Sequence, residues 1–223
     1  MLRFRRITQL LGGVACTALL SMNAYASLLT NGSFESGTFV DDGNKTMTFT
    51  AVPGSITDWT VVGSHVSWID TGNPWGLSAQ DGDRFLDLTG YTTGAPFGGV
   101  TQTVATTAGQ QYDLSFYLGS YTQRWGGPPV SILATVDGTS QTFTVTTTSS
   151  VSTWTPFTLH FTASSASTTV TLTGAAGVSY IGLDNVSLEP AGGGGSVPEP
   201  KSYVLTAVGI AILTAARAMR HCI

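Results

Sequence analysis

Cysteine is nearly absent from this 223-residue chain, and its two copies, Cys16 and Cys222, stand close to the two ends. A domain between them holds no disulfide, so its stability must come from burial and sheet hydrogen bonds, with a metal ion as the remaining staple. Positive charge is scarce too. From Ser27 to Ser196 only Lys45, Arg84 and Arg124 stand against twelve acids, a net charge of −9. Such a surface repels nucleic acid and anionic lipid, tolerates neutral sugars and attracts divalent cations. Helix formers are few, and no stretch of this region repeats apolar residues at helical spacing, which leaves an all-β composition rich in Thr, Ser, Gly and Val. Catalytic sets are also missing. Of three histidines, His221 lies in the tail while His65 and His160 fall in strand patterns, so no metal triad can be argued. There is no Gly-x-Ser-x-Gly elbow and no cysteine nucleophile between the ends, so the sequence points away from an enzyme.

What is present is alternation. Tyr112, Leu114, Phe116 and Leu118, then Val130, Ile132, Ala134 and Val136, then Phe157, Leu159 and Phe161 each put apolar side chains on one face. Asp137-Gly138 is a hairpin signal. Further strands are expected over 57–62, 65–70, 84–88, 100–104, 142–145, 169–173 and 179–188. About ten short strands in residues 27–190 predict a β-sandwich, most simply a jelly roll. Three longer connections, 38–46, 71–83 and 119–129, are where a site is to be sought, because long loops in a compact β domain tend to be functional.

Both ends read as addresses. Arg3, Arg5 and Arg6 precede an apolar run from Ile7 to Leu20 and the small residues of Ala24-Tyr25-Ala26, so residues 1–26 are expected to be a signal peptide cut by signal peptidase. Gly13 stands where a lipobox needs a branched aliphatic, so Cys16 is not read as a lipid anchor. At the other end a Gly-rich linker, 191–196, leads to Pro198-Glu199-Pro200, an apolar segment from Tyr203 to Ala216, and a basic end with Arg217 and Arg220. Residues 197–223 resemble the PEP-CTERM sorting signal of Gram-negative bacteria. The resemblance implies a transmembrane helix that holds the exported chain in the inner membrane. It also implies processing by an exosortase near the Pro198-Glu199-Pro200 motif and delivery to the cell surface or matrix. An anchor that is never cut is the alternative.

The middle carries a second resemblance. Asn31-Gly32-Ser33-Phe34-Glu35, Asp81-Gly82-Asp83-Arg84-Phe85-Leu86-Asp87-Leu88 and the closing Gly182-Leu183-Asp184-Asn185-Val186 look like the choice-of-anchor C domain, a relative of galactose-binding-like sandwiches and carbohydrate-binding modules. That resemblance implies a galactose-binding-like jelly roll and a structural Ca²⁺ shared by Glu35 in the opening strand, Asp184 in the closing strand and Asp81 in the intervening loop. Ca²⁺ takes six to eight hard oxygens, so backbone carbonyls would complete the cage. The alternative is two hydrogen-bonded strand ends and a turn.

Among the aromatics, Trp59, Trp68 and Trp154 sit in strand patterns and are expected in the core. Trp75, Tyr91, Tyr121 and Trp125 lie in or beside loops, where rings can stack on sugars or simply close the ends of the sandwich. A carboxylate pair drawn from Asp81, Asp83 and Asp87 would suit glycoside hydrolysis. A turn followed by a solvent-facing Asp87 explains them more simply. The expectation is an exported, non-catalytic, polysaccharide-associated module, with a purely structural matrix protein as the runner-up and a hydrolase third.

Overall fold

Period-two runs become strands here because every second side chain finds a facing sheet to bury against. A computed structural model describes residues 26–49, 55–90, 94–121, 129–146, 153–178 and 180–192. Among the described residues eleven strands run in order: β1 (Thr46–Phe49), β2 (Thr60–Gly63), β3 (Val66–Asp70), β4 (Arg84–Asp87), β5 (Gly98–Ala105), β6 (Gln111–Ser120), β7 (Val130–Val136), β8 (Thr139–Val145), β9 (Thr153–Thr162), β10 (Ser167–Ala176) and β11 (Gly182–Pro190). They form a six-stranded sheet in the order β1-β3-β4-β11-β6-β9 and a five-stranded sheet in the order β2-β5-β10-β7-β8. Every pairing is antiparallel. The domain is therefore an all-β two-sheet sandwich.

The expected alternation holds where it was strongest. Leu114, Phe116 and Leu118 of β6 and Ile132, Ala134 and Val136 of β7 are all but fully buried in one core between the sheets. Leu159 and Phe161 of β9 join them, with Phe157 half-buried at the margin. Asp137 and Gly138 both take positive φ, at 48° and 77°, and close the β7–β8 hairpin with Val136 opposite Thr139. Trp59 and Trp68 lie in the core, and their indole N–H groups donate to the carbonyls of Asn31 and Phe34, each at 2.9 Å.

Several local expectations are corrected. β1 lies at the end of a stretch read as a connection; it is short and sits at the sheet edge. The segment around Asn31 and Phe34 is a turn, not an opening strand. Both residues have positive φ, and Asn31 ties the turn to the carbonyls of Ser36 and Thr57 at 2.9 Å. Gly32 is needed there, since a Cβ would stand 1.9 Å from the Val186 carbonyl oxygen. Trp154 is not in the central core. It is half-buried on the outer face of the six-stranded sheet, opposite Gly119. Asp87, expected to face solvent, is 1% exposed.

Candidate functional site

The connection from β3 to β4, residues 71–83, folds back over the outer face of the six-stranded sheet and is fastened along its length. At its base the amide and hydroxyl of Thr71 donate to the Asp83 carbonyl at 2.8 and 2.9 Å. Inside it, buried Asn73 donates to the carbonyls of Asp70 and Leu77 and accepts from the amides of Trp75 and Leu77. The Asn side chain thus substitutes for a missing strand partner. Leu77 is pressed onto Ile69, Phe85 and Tyr180, a second small cluster outside the main core.

Two carboxylates grip the far side of this loop. Glu35 Oε1 accepts from the amides of Asp83 (2.9 Å) and Arg84 (2.7 Å). Asp184 Oδ2 accepts from the amides of Gln80 (2.7 Å) and Asp81 (3.0 Å), and its Oδ1 from the amide of Asn185 (2.7 Å). Asn185 then donates to the Gln80 side chain at 2.7 Å. The opening turn and the closing strand therefore both close on one loop.

The electrostatics follow from burial. Asp184 is pushed up to about 8, chiefly by removal from water, against the pull of its three amide donors. Burial also raises Asp87 to about 6, although the amides of Ile181 and Thr89 and the Thr89 hydroxyl donate to it. The Tyr180 phenol is pushed upward by burial and then by the charges of Asp87 and Asp184; its oxygen has no hydrogen-bond partner among the described residues. Glu35 is raised by burial, with the Arg84 and Asp83 amides opposing.

Of the three carboxylates expected to share calcium, Glu35 and Asp184 therefore hold the loop that carries Asp81, without forming a ligand set with it. Glu35 Oε1 and both Asp184 oxygens face backbone N–H donors, and the Asp81 contact with Asp184 is through its amide. Among the described residues no three His, Cys, Asp or Glu side chains form a group that could hold a metal ion. A Ca²⁺ cage needs oxygens at those positions, so the residues as placed do not fit one. The tie from the chain ends to the loop is made by hydrogen bonds.

The aromatic expectation fares differently. Trp75 of the loop and Tyr121 at the end of β6 pack against the same outer cluster, and Trp154 of β9 joins them. Phe85 meets Trp154 edge-on at 5.6 Å and Tyr180 at 6.1 Å, and the Trp154 indole donates to the Ser78 carbonyl at 3.1 Å. Three half-buried aromatic rings thus rim one end of the outer face, beside amide and carboxyl groups of the loop. Tyr91, Trp125, Pro198, Glu199 and Pro200 lie outside the described residues. Trp154, Tyr180 and Asn73 were missed as site residues. Trp154 is out of phase with Phe157, Leu159 and Phe161, and that parity was the available signal.

Residues 27–179 match the family described as "Protein of unknown function (DUF642)". The chain belongs to the DUF642 family. No curated protein matches it in sequence. The DUF642 domain is similar to three solved structures, among others. The first is TmCBM61 in complex with β-1,4-galactotriose, at 18% identity and TM-score 0.46, covering 74% of this chain and 99% of that one. The second is a family 35 carbohydrate-binding module from Clostridium thermocellum, at 15% identity and TM-score 0.43, covering 66% and 98%. The third is a cleaved adhesin domain of Lys-gingipain from Porphyromonas gingivalis, at 12% identity and TM-score 0.46, covering 66% and 99%.

Proposed function

We propose that this DUF642 domain is a non-catalytic carbohydrate-binding module of an exported surface protein, and that it holds an extracellular polysaccharide at the aromatic rim of its six-stranded sheet. The observation that carries the reading is the convergence of Trp75, Tyr121 and Trp154 on one outer cluster, next to a loop held rigid by Asn73, Glu35 and Asp184. Rings fixed on a stapled loop lose little freedom when a sugar face packs on them, and the polar loop groups beside them suit hydroxyls. A hydrolytic role is not favoured, because the two acids raised furthest, Asp87 and Asp184, are buried and turned toward backbone amides. The full chain should be retained by at least one polysaccharide in a panel of insoluble neutral glycans, and Trp75→Ala with Tyr121→Ala should weaken retention about tenfold or more, since ring stacking on a ligand is worth on the order of 1–3 kcal/mol. Unchanged retention in the double variant overturns the site and leaves these rings as closure of the sheet.

Delivery belongs to the same proposal. The signal peptide and the PEP-CTERM-like tail would export the chain, hold it by a C-terminal membrane helix and pass it to an exosortase at Pro198-Glu199-Pro200. Fractionation of cells carrying Pro198→Ala with Pro200→Ala tests this half: membrane retention is the expected result, and normal release contradicts it.

A further inference from the structure

The two sheets differ in charge more than any single strand would suggest. None of the five strands of the second sheet contains an Asp, Glu, Lys, Arg or His. Asp70, Arg84, Asp87, Asp113, Asp184 and Glu189 all belong to the six-stranded sheet. Solvated protein surfaces ordinarily carry roughly a quarter to a third charged residues. A whole sheet face without one, in a domain of net charge −9, therefore stands apart.

In place of charge this face carries hydroxyls in register. Thr60 lies opposite Thr101, Thr101 opposite Thr171, Thr171 opposite Thr135, and Thr135 opposite Ser140. One hydroxyl thus stands on each of the five strands, in a row of about 19 Å at the usual strand spacing. Their neighbours in sequence, Val61, Val100, Val170, Leu172, Ala134 and Val136, are buried, so the row faces outward and is exposed or half-exposed. Cross-strand hydrogen bonds hold the hydroxyls in place: Thr101 to Thr171 at 3.0 Å, Thr135 to Ser140 at 3.0 Å, and Thr103 to Thr169 at 2.8 Å. A hydroxyl has one donor and two acceptor sites; Thr101 also donates to the Val170 carbonyl at 2.8 Å, so its pair with Thr171 keeps acceptor sites, while the Thr135–Ser140 pair keeps a donor as well, and these four rotamers are already held.

The row opens at one margin into a groove of about 350 Å³ lined by Thr30, Asp58, Thr60, Thr101, Gln102 and Thr103. Gln102 is buried and locked to the Thr30 backbone from both ends of its amide, and Thr30 donates to Asp58 at 2.8 Å, so the groove wall is rigid. Among the described residues a polyanion finds no cation on this face, and a polycation finds only Asp58 at the groove margin, against the several acids of the other sheet. An apolar partner would bury hydroxyls without partners. A neutral, hydroxyl-rich chain meets none of these costs.

We propose that the outer face of the five-stranded sheet is a second binding surface, which takes an extended neutral polysaccharide across the strands along the Thr60–Thr101–Thr171–Thr135–Ser140 row. The ligand class rests on the carbohydrate-binding reading above; the site does not, because it lies on the opposite sheet and contains no aromatic ring. With both faces in use, one domain bridges two polymer chains.

The test is retention of the purified full-length chain on insoluble neutral glucan, mannan and galactan, for wild type, for Thr101→Val with Thr135→Val and Thr171→Val, and for the same three positions changed to Lys. Valine keeps strand propensity and removes the hydroxyls, and the unfolding midpoint of each variant verifies the fold. About tenfold weaker retention in the valine variant, with the Trp75→Ala, Tyr121→Ala variant still retained through this face, supports the proposal. Wild-type retention in both Thr variants overturns it and leaves the aromatic site standing. Retention of wild type by none of the three polymers overturns both. A concentration-dependent dimer in sedimentation that the lysine variant abolishes also overturns it, because the face would then be covered by a second copy, for which the uncharged edge strands β2 and β8 are suited.

Discussion

Asp184 carries opposing demands that a pH titration can separate. Its three amide donors favour the charged form, burial favours the neutral one, and burial prevails, with the pKa pushed up to about 8; Asp87 follows at about 6. A carboxyl whose folded pKa lies above its unfolded value holds its proton more tightly in the native state. Its contribution is therefore fully present below the unfolded value and is lost as pH rises through the folded one. The unfolding midpoint should therefore fall from about pH 4 upward, less steeply once Asp87 has titrated near 6 and no further once Asp184 has titrated near 8, and Asp184→Asn should abolish the fall between 6 and 8 while lowering the starting stability by about 1–3 kcal/mol for the lost acceptor. A midpoint that stays flat through this range in wild type would contradict the burial of both acids. The same two residues show the limit of legibility at this scale. Leu86-Asp87-Leu88 reads as a buried apolar face with an acid turned to water, and Asp184 as a calcium ligand or a hydrogen-bonded strand end. Asp184 is kept from water by the 71–83 loop, whose Gln80 and Asp81 amides close on it, and Asp87 is enclosed with Thr89 and Ile181; no local pattern encodes which side chains distant segments will cover.

The loop itself was legible as an element, since thirteen residues between two clear strands ask for a reason. Its fastening involves residues that the sequence also singles out: Glu35 and Asp184, expected with Asp81 as ligands of a cation, accept from amides of or beside the loop that carries Asp81. Family resemblance supplied the residues, while the chemistry depended on whether the loop presents carbonyls or amides, which side-chain identity does not reveal. Glu35→Ala should leave the amides of Asp83 and Arg84 without their acceptor and cost about 2 kcal/mol or more, while Glu35→Gln, which keeps a carbonyl oxygen, should recover most of that loss. Thermal unfolding with added calcium and with chelator distinguishes the two chemistries. With an amide clamp the wild-type midpoint does not move. If Glu35 instead holds a cation, Gln fails as badly as Ala and calcium raises the wild-type midpoint by mass action.

At the scale of the whole molecule, the order of strands in space places the end of the domain at its centre. β10 lies between β5 and β7 in one sheet, and β11 lies between β4 and β6 in the other. Both central strands are made last. The start of the domain waits for them too: the Leu28 amide donates to the Leu188 carbonyl at 2.8 Å, the Leu188 amide donates to Ser27 Oγ at 3.1 Å, and Val186 donates to Gly32 at 2.9 Å. Sequence alternation identified most of these strands but not this arrangement, since a one-face apolar pattern is the same for a strand at the edge and one in the middle of such a sandwich. The arrangement has a consequence for the domain boundary. The family match stops at residue 179, short of β11, which begins at Gly182. Without β11, β4 and β6 lose their shared neighbour, the six-stranded sheet splits into a three-stranded and a two-stranded piece, and Asp184 is no longer there to hold the loop. A chain of residues 27–179 should therefore show no cooperative thermal transition and bind a hydrophobic dye, whereas residues 27–192 should unfold in one sharp step, with slow refolding as expected for long-range pairing. Cooperative unfolding of the shorter chain would mean that β11 is an accessory strand, and the assignment of the closing strand as the keystone of both chain ends and the loop would have to be abandoned.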